Sequence, residues 1–156
     1  AFLVLARHPD VPLDMEEIDI AEVVHEHAAL ALPLLEGKQV VIDVVEHAQP
    51  RVQAPLRVPG VMLAQLLRNA CAHTDQGRIE VRIESDRIEV EDTGAGMDAA
   101  TLARAFQPFF RGSESVVSGK GLGLHVVQRL AERLGWSVDL YSSPGTGTTA
   151  TVRFAG

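Results

Sequence analysis

Apolar positions recur at two different spacings along the chain, and the change from one to the other divides it into elements. From Ile18 to about Leu35 the apolar residues Ile20, Val23, Val24 and Leu30 fall three or four apart, with His27 on the same face, which predicts a helix. Gly37 is placed to close it. The run 39–45, QVVIDVV, is rich in β-branched residues and predicts a strand. Residues 46–58 hold two prolines and predict irregular backbone with room for a short edge strand. Pro59 suits a first helical turn, and the apolar pattern continues that helix to about Thr74. The segments RIEVRIES and RIEVED alternate apolar and polar residues, as a half-buried hairpin requires. A glycine loop at 93–98 and a short helix at 99–105 follow, then an aperiodic Gly/Ser-rich stretch at 106–120. Helical spacing returns from Gly123 to Gly135, and WSVDLYSS and TTATVRF form a second hairpin around PGTG.

Helices alternating with hairpins predict an α/β (α+β) two-layer sandwich. Helices cover one face of its mostly antiparallel sheet. The chain has 156 residues, enough for one domain with its own core. Residues 1–8, ended by Pro9 and Pro12, read as the last turns of a preceding helix belonging to a longer protein. Net charge is −7 and no basic stripe is visible, which argues against a nucleic-acid partner or an anionic membrane surface. Cys71 is the single cysteine, so no disulfide framework exists.

Candidate chemistry concentrates at five places. Asp92 ends an apolar strand where the chain turns, and Gly94 and Gly96 after it allow a flat ligand to approach the backbone. Its carboxylate suits an exocyclic amine such as that of adenine, and equally suits capping an ordinary Asp-Gly turn. Asn69 lies within an apolar helix, where its amide needs a partner, either Mg²⁺ or a neighbouring loop. Gly119, Gly121 and Gly123 lead into a helix N-terminus, whose free amides and dipole favour an anion, with Lys120 as an added charge. The same glycines also suit a hinge. They match neither the Walker loop, which needs glycine at 114, nor the dinucleotide fingerprint, which needs glycine at 124. The segment FQPFFRG at 106–112 carries three of the five phenylalanines and reads as an aromatic plug at the fixed end of a lid, with Arg111 near the phosphates. Thr148 follows a tight turn, with its hydroxyl in reach of Asp92 or of a water beside the base.

The order of these motifs resembles one family. Asn on a helix, then DTGAGM, FQPFFR, GKGLGL and GTGTT are similar in sequence and order to the catalytic ATP-binding domain of bacterial sensor histidine kinases, in the GHKL (Bergerat-fold) superfamily. The resemblance covers about residues 18–155, with 1–10 as the remnant of the preceding dimerisation helix. It implies a mixed, mostly antiparallel sheet of about five strands backed by three helices, with ATP and Mg²⁺ as ligands, Asn69 in the N box as the Mg²⁺ ligand and His73 one helical turn further on. Asp92 would bind the adenine amine, with Gly94, Gly96 and Met97 shaping that pocket and Thr148 supporting it. Phe106, Phe109 and Phe110 would form the F box, and 112–118 the lid. Gly119, Lys120, Gly121, Leu122, Gly123 and Leu124 would form the second glycine box around the phosphates.

The departures are informative. Gln65 stands where the family usually has a second Asn, Ala72 where a Lys is common, His73 where an aromatic residue is common, and Lys120 where Ser or Thr is usual. Relatives that hydrolyse ATP place a Glu at the position of Gln65, and Gln cannot serve as that base. None of the six histidines has the context of a phosphoacceptor. The resemblance therefore implies a histidine kinase domain that donates the γ-phosphoryl group to a histidine on an upstream dimerisation and phosphotransfer domain absent from this chain. A response regulator receiver domain would be the further partner. The isolated domain is expected to be a monomer on the cytoplasmic side, the parent a homodimer that can be anchored in the inner membrane. A regulatory ATP-binding module and an anti-sigma-type serine kinase share the fold and are the alternatives.

Overall fold

The computed structural model describes residues 14–106 and 123–154. Five strands form one mixed sheet: β2 (Gln39–Glu46), β4 (Gln76–Ile83), β5 (Arg87–Asp92), β7 (Gly147–Arg153) and β6 (Ser137–Ser143), in that spatial order. β2 runs parallel to β4, and every other pairing in this sheet is antiparallel. Helices α1 (Ile20–Ala31), α2 (Val58–His73) and α4 (Gly123–Leu134) supply the other layer, and a short α3 spans Ala99–Ala103. The expected two-layer sandwich with a five-stranded, mostly antiparallel sheet is the architecture observed.

Alternation decides which strand residues enter the core. Ile79, Val81 and Ile83 on β4, Ile88 and Val90 on β5, and Ala150 and Val152 on β7 are buried under the helices. They meet Val24 of α1, Met62, Leu63 and Leu67 of α2, and Val127 and Leu130 of α4. Burying a large aliphatic side chain is worth about 1.5–3 kcal/mol, so this cluster outweighs any single polar contact in the domain. The opposite face is charged. Arg82 there donates to Glu80 and Glu89, each at 2.8 Å, and to Glu91 at 2.6 Å, tying β4 to β5.

Two expectations change. The helix does not begin at Ile18, because Glu16–Asp19 forms a strand, β1, paired antiparallel with β3 (Arg51–Ala54) in a separate two-stranded sheet. Asp19 then caps α1, accepting from the Ala21 amide at 3.1 Å. Leu32–Leu35 continues α1 as a 3₁₀ turn, since Pro33 cannot extend an α-helical ladder. The N-terminal segment 1–13 and residues 107–122 lie outside the described residues, with them the expected helix remnant and the lid. Among the described residues no helix is long and apolar enough to cross a membrane.

Candidate functional site

Period-2 alternation carries Asp92 inward. Ile88, Val90 and Asp92 share the face of β5 that the helices cover, and Asp92 is 3% exposed. Strand pairing sets it opposite Ile79 on one side and Thr148 on the other. Its two oxygens have different fates. Oδ1 accepts the Gly94 amide at 2.9 Å and the Thr148 amide at 3.3 Å. Oδ2 accepts no hydrogen bond from the described residues, yet it is not among the sealed, partnerless side-chain atoms, of which Thr74 Oγ1 is the one found. One oxygen is thus fixed by backbone and the other is offered to whatever enters. Burial pushes the Asp92 carboxyl above its ordinary value, opposed by the Gly94 and Thr148 amides and by the charge of His73.

The turn after Asp92 can only be glycine-rich. A Cβ at Gly94 would lie 2.2 Å from the His73 carbonyl oxygen, and one at Gly96, where φ is +73°, would lie 1.9 Å from that of Ser143. The turn is therefore wedged between the end of α2 and the β6–β7 hairpin. The Ala95 amide donates to the His73 carbonyl at 3.4 Å, and the Gly145 amide donates to Ala95 O at 2.7 Å.

Helix α2 presents the second wall. Gln65, Asn69 and His73 recur at four-residue spacing, so they share one face, and all three are half-buried. The Asn69 amide makes no hydrogen bond to any described residue. At the N-terminal end of this stripe a Cβ on Gly123 would come within 3.0 Å of Gln65 Oε1, so the first residue of α4 abuts α2 one turn before Asn69. Asn69, His73, Asp92, Gly94 and Gly96 thus belong to one region, bounded at its far end by Gly123 of α4, while Leu124 beside it packs against the core. Met97 is held there by its amide, which donates to Ser142 Oγ at 2.7 Å. Phe106 is half-buried in the turn after α3. Phe109, Phe110, Arg111, Gly119, Lys120, Gly121 and Leu122 lie outside the described residues.

The geometry revises Thr148 and adds one residue. The link from Thr148 to Asp92 is the backbone amide. Its hydroxyl bonds Ser142 Oγ at 2.8 Å instead, because β5–β7 pairing sets the amide beside the carboxylate. Ser142, unforeseen, accepts from Met97 N and donates to Gly147 O at 3.0 Å, joining the loop to the hairpin. The signal for it was phase: Val138, Leu140 and Ser142 share the inner face of β6.

Among the described residues no group of three or more His, Cys, Asp or Glu side chains converges on a metal position. An unpartnered amide oxygen beside a phosphate-bearing ligand instead suits Mg²⁺, which keeps waters and phosphate oxygens as most of its shell. The groove between α1 and α2, lined by Val23, His27, Gly60 and Val61, contains none of these residues.

A mixed sheet backed by three helices, with an inward carboxylate at the glycine turn that ends β5, makes the domain a two-layer α/β sandwich. The family model for histidine kinase-, DNA gyrase B- and HSP90-like ATPases matches residues 58–155, and the chain belongs to that family. Sensor histidine kinase RcsC of Escherichia coli strain K12 is 32% identical over 153 residues, an alignment covering 90% of this chain and 16% of that protein. Sensor protein TorS of the same strain is 40% identical over 107 residues, covering 64% of this chain and 11% of that one. Full-length ShkA in complex with AMPPNP superposes with a TM-score of 0.85 at 24% identity, covering 99% of this chain and 33% of that chain. Acinetobacter baumannii histidine kinase AdeS gives a TM-score of 0.76 at 18% identity, covering 99% and 74%. These solved structures share the fold. The chain spans only a small part of the curated relatives it matches.

Proposed function

We propose that this chain is the catalytic ATP-binding domain of a two-component sensor histidine kinase. It binds Mg-ATP and donates the γ-phosphoryl group to a histidine on a helical dimerisation and phosphotransfer domain of the same protein. The observation that carries the reading is the divided Asp92 carboxylate, with Oδ1 held by two backbone amides and Oδ2 free at the glycine turn. That free oxygen accepts the exocyclic amine of adenine. Gly94 and Gly96 leave space for the ring, and Ser142 and Thr148 brace the wall behind it.

Asn69 supplies an amide oxygen to Mg²⁺, which when bound neutralises phosphate charge. The amides that open α4, with Lys120 and Arg111, hold the phosphates. Nothing in this set is a nucleophile, and Gln65 has no proton-accepting group with which to activate water. The protein's contribution is positioning and charge compensation, as phosphoryl transfer requires. Transfer then depends on the partner histidine, and hydrolysis by this chain alone is slow. A response regulator receives the phosphoryl group from the parent protein, a homodimer.

Titration calorimetry with Mg-ATP tests the binding. Wild type gives a saturable isotherm, whereas Asn69→Ala and Asp92→Asn lose measurable binding while keeping the native circular dichroism spectrum. Wild-type affinity in both variants would refute the reading. Adding the upstream helical domain and finding acid-labile phosphohistidine separates the kinase from a regulatory ATP-binding module. Acid-stable phosphoserine would instead mark a serine kinase of the same fold.

A further inference from the structure

The chain contains two lysines, and the second, outside the glycine run, is used in an unusual way. Lys38 precedes β2, and its ammonium turns inward: Nζ donates to the Cys71 carbonyl at 2.7 Å and to the Thr74 carbonyl at 3.1 Å. These carbonyls flank the C-terminus of α2. That end has no glycine cap; Thr74 takes an extended conformation there instead. The last turn of a helix leaves carbonyls unpaired and carries the negative end of the dipole, so a cation bonded to two of them both satisfies and neutralises it. Thr74 is fully buried, and the Lys38 side chain is only partly exposed. The Asp75 carboxylate, 3.6 Å from Nζ, is 94% exposed and adds little.

Of the two carbonyls between those that Lys38 holds, that of His73 is the one against which the glycine turn packs. It accepts the Ala95 amide and leaves no space for a Cβ at Gly94. Lys38 therefore stands outside the pocket, yet it fixes the end of α2 that sets the turn after Asp92. We propose that Lys38 is a positioning residue for the adenine half of the nucleotide site, acting through the α2 C-terminus on His73 and the Gly94–Gly96 turn. This rests on the ATP-binding reading above. Without the ammonium the helix end and the turn have a choice of registers, and apparent affinity falls by the fraction of molecules in the competent one.

The experiment compares wild type with Lys38→Met, Lys38→Arg and Asp75→Asn in this chain, by calorimetry with Mg-ATP and Mg-ADP at a temperature where circular dichroism shows each folded. Lys38→Met raises the Kd for ATP and for ADP by the same factor, about tenfold, because the two ligands share adenine and differ only at the γ-phosphate. Lys38→Arg, which can donate to both carbonyls, returns to within about threefold of wild type, and Asp75→Asn stays at wild type. Should Lys38→Met not fold, Lys38→Gln is compared in its place, with the same loss expected. A folded Lys38→Met or Lys38→Gln chain with lowered melting temperature and wild-type Kd overturns the inference, and so does a loss seen for ATP but not for ADP. A wild-type chain that binds neither nucleotide removes the reading beneath it instead.

Discussion

Replacing Asp92 by Asn should move stability and binding in opposite directions. Asn has the shape of Asp and retains a carbonyl oxygen at Oδ1, so the amides of Gly94 and Thr148 keep their acceptor. What changes is charge and Oδ2. Burial raises the Asp92 carboxyl above its ordinary value. A group whose folded pKa is raised favours the fold while protonated, and that contribution is lost as pH rises through the folded pKa. At pH 7 the ligand-free wild type therefore carries a cost that the Asn variant lacks. Below the ordinary aspartate pKa of about 3.9 the two chains are alike in this respect. Binding behaves otherwise. Losing a hydrogen bond from the adenine amine to a charged acceptor removes about 1.5–3 kcal/mol, and setting an amide NH₂ against that amine leaves donors unpaired at a further cost of about 1–3 kcal/mol. Together that weakens ATP binding by about two to four orders of magnitude. Urea unfolding at pH 7 without nucleotide should give a higher midpoint for Asp92→Asn than for wild type. Adding ATP at about 100 times the wild-type Kd should then stabilise wild type by about 2.7 kcal/mol and the variant by no more than about 0.5 kcal/mol. An Asn variant less stable than wild type at pH 7, or one stabilised equally by ATP, would refute this account of the site.

Two further perturbations probe the frame around it. Arg82→Met leaves Glu80 to Arg78 and Glu89 to Arg87, strips Glu91 of its cation among the described residues, and should cost about 1 kcal/mol at pH 7. The Arg82 hydrogen bond holds the Glu80 carboxyl below its ordinary value, so the stability it lends is present above that value and lost as pH falls through the lowered one; the wild-type advantage in urea midpoint should shrink as the buffer is taken below about pH 4. Gly147→Ala combines a φ of +91° with a Cβ 1.9 Å from the Asp92 carbonyl oxygen, whereas Gly145→Ala at φ +82° meets nothing within 4 Å. Thermal melts should show about 1–2 kcal/mol lost at 145 from backbone strain alone and about 2–5 kcal/mol at 147, and equal losses would contradict the close approach of β7 to β5.

Much of the frame was readable because two periodicities suffice to find helices and half-buried strands. The places where it was not readable have identifiable causes. Ile18 and Ile20 lie two apart, which both a strand and the start of a helix accommodate. The deciding residues lay between and after them: Asp19 with Glu22 three residues on is a helix-start signature, so Ile18 falls outside the helix. The short edge strand that 46–58 left room for is β3, but at four residues it is too short for alternation to set its bounds or its partner. The parallel pairing of β2 with β4 follows from α2 crossing between them, which residue spacing within either strand does not encode.

The site was legible to the extent that side chains carried it. Asp92 follows from continuing the alternation of Ile88 and Val90 by one step, and Asn69 from a polar residue inside an apolar helix. Ser142 was within reach by the same phase argument, since the inner face of β6 is otherwise apolar. What spacing could not reveal is any bond whose acceptor or donor is backbone. Every residue carries the same amide and carbonyl, so the sequence holds no mark that Thr148 serves Asp92 through its N–H, or that Lys38 serves the carbonyls of Cys71 and Thr74 more than thirty positions away. Read alone, a lysine after Gly37 suggests a solvated turn. Its role exists only once β2 lies beside β4 and brings residue 38 to the end of α2. For a pocket walled largely by backbone, as glycine-rich nucleotide sites are, the residues that position the walls are therefore the ones a motif search is least able to find.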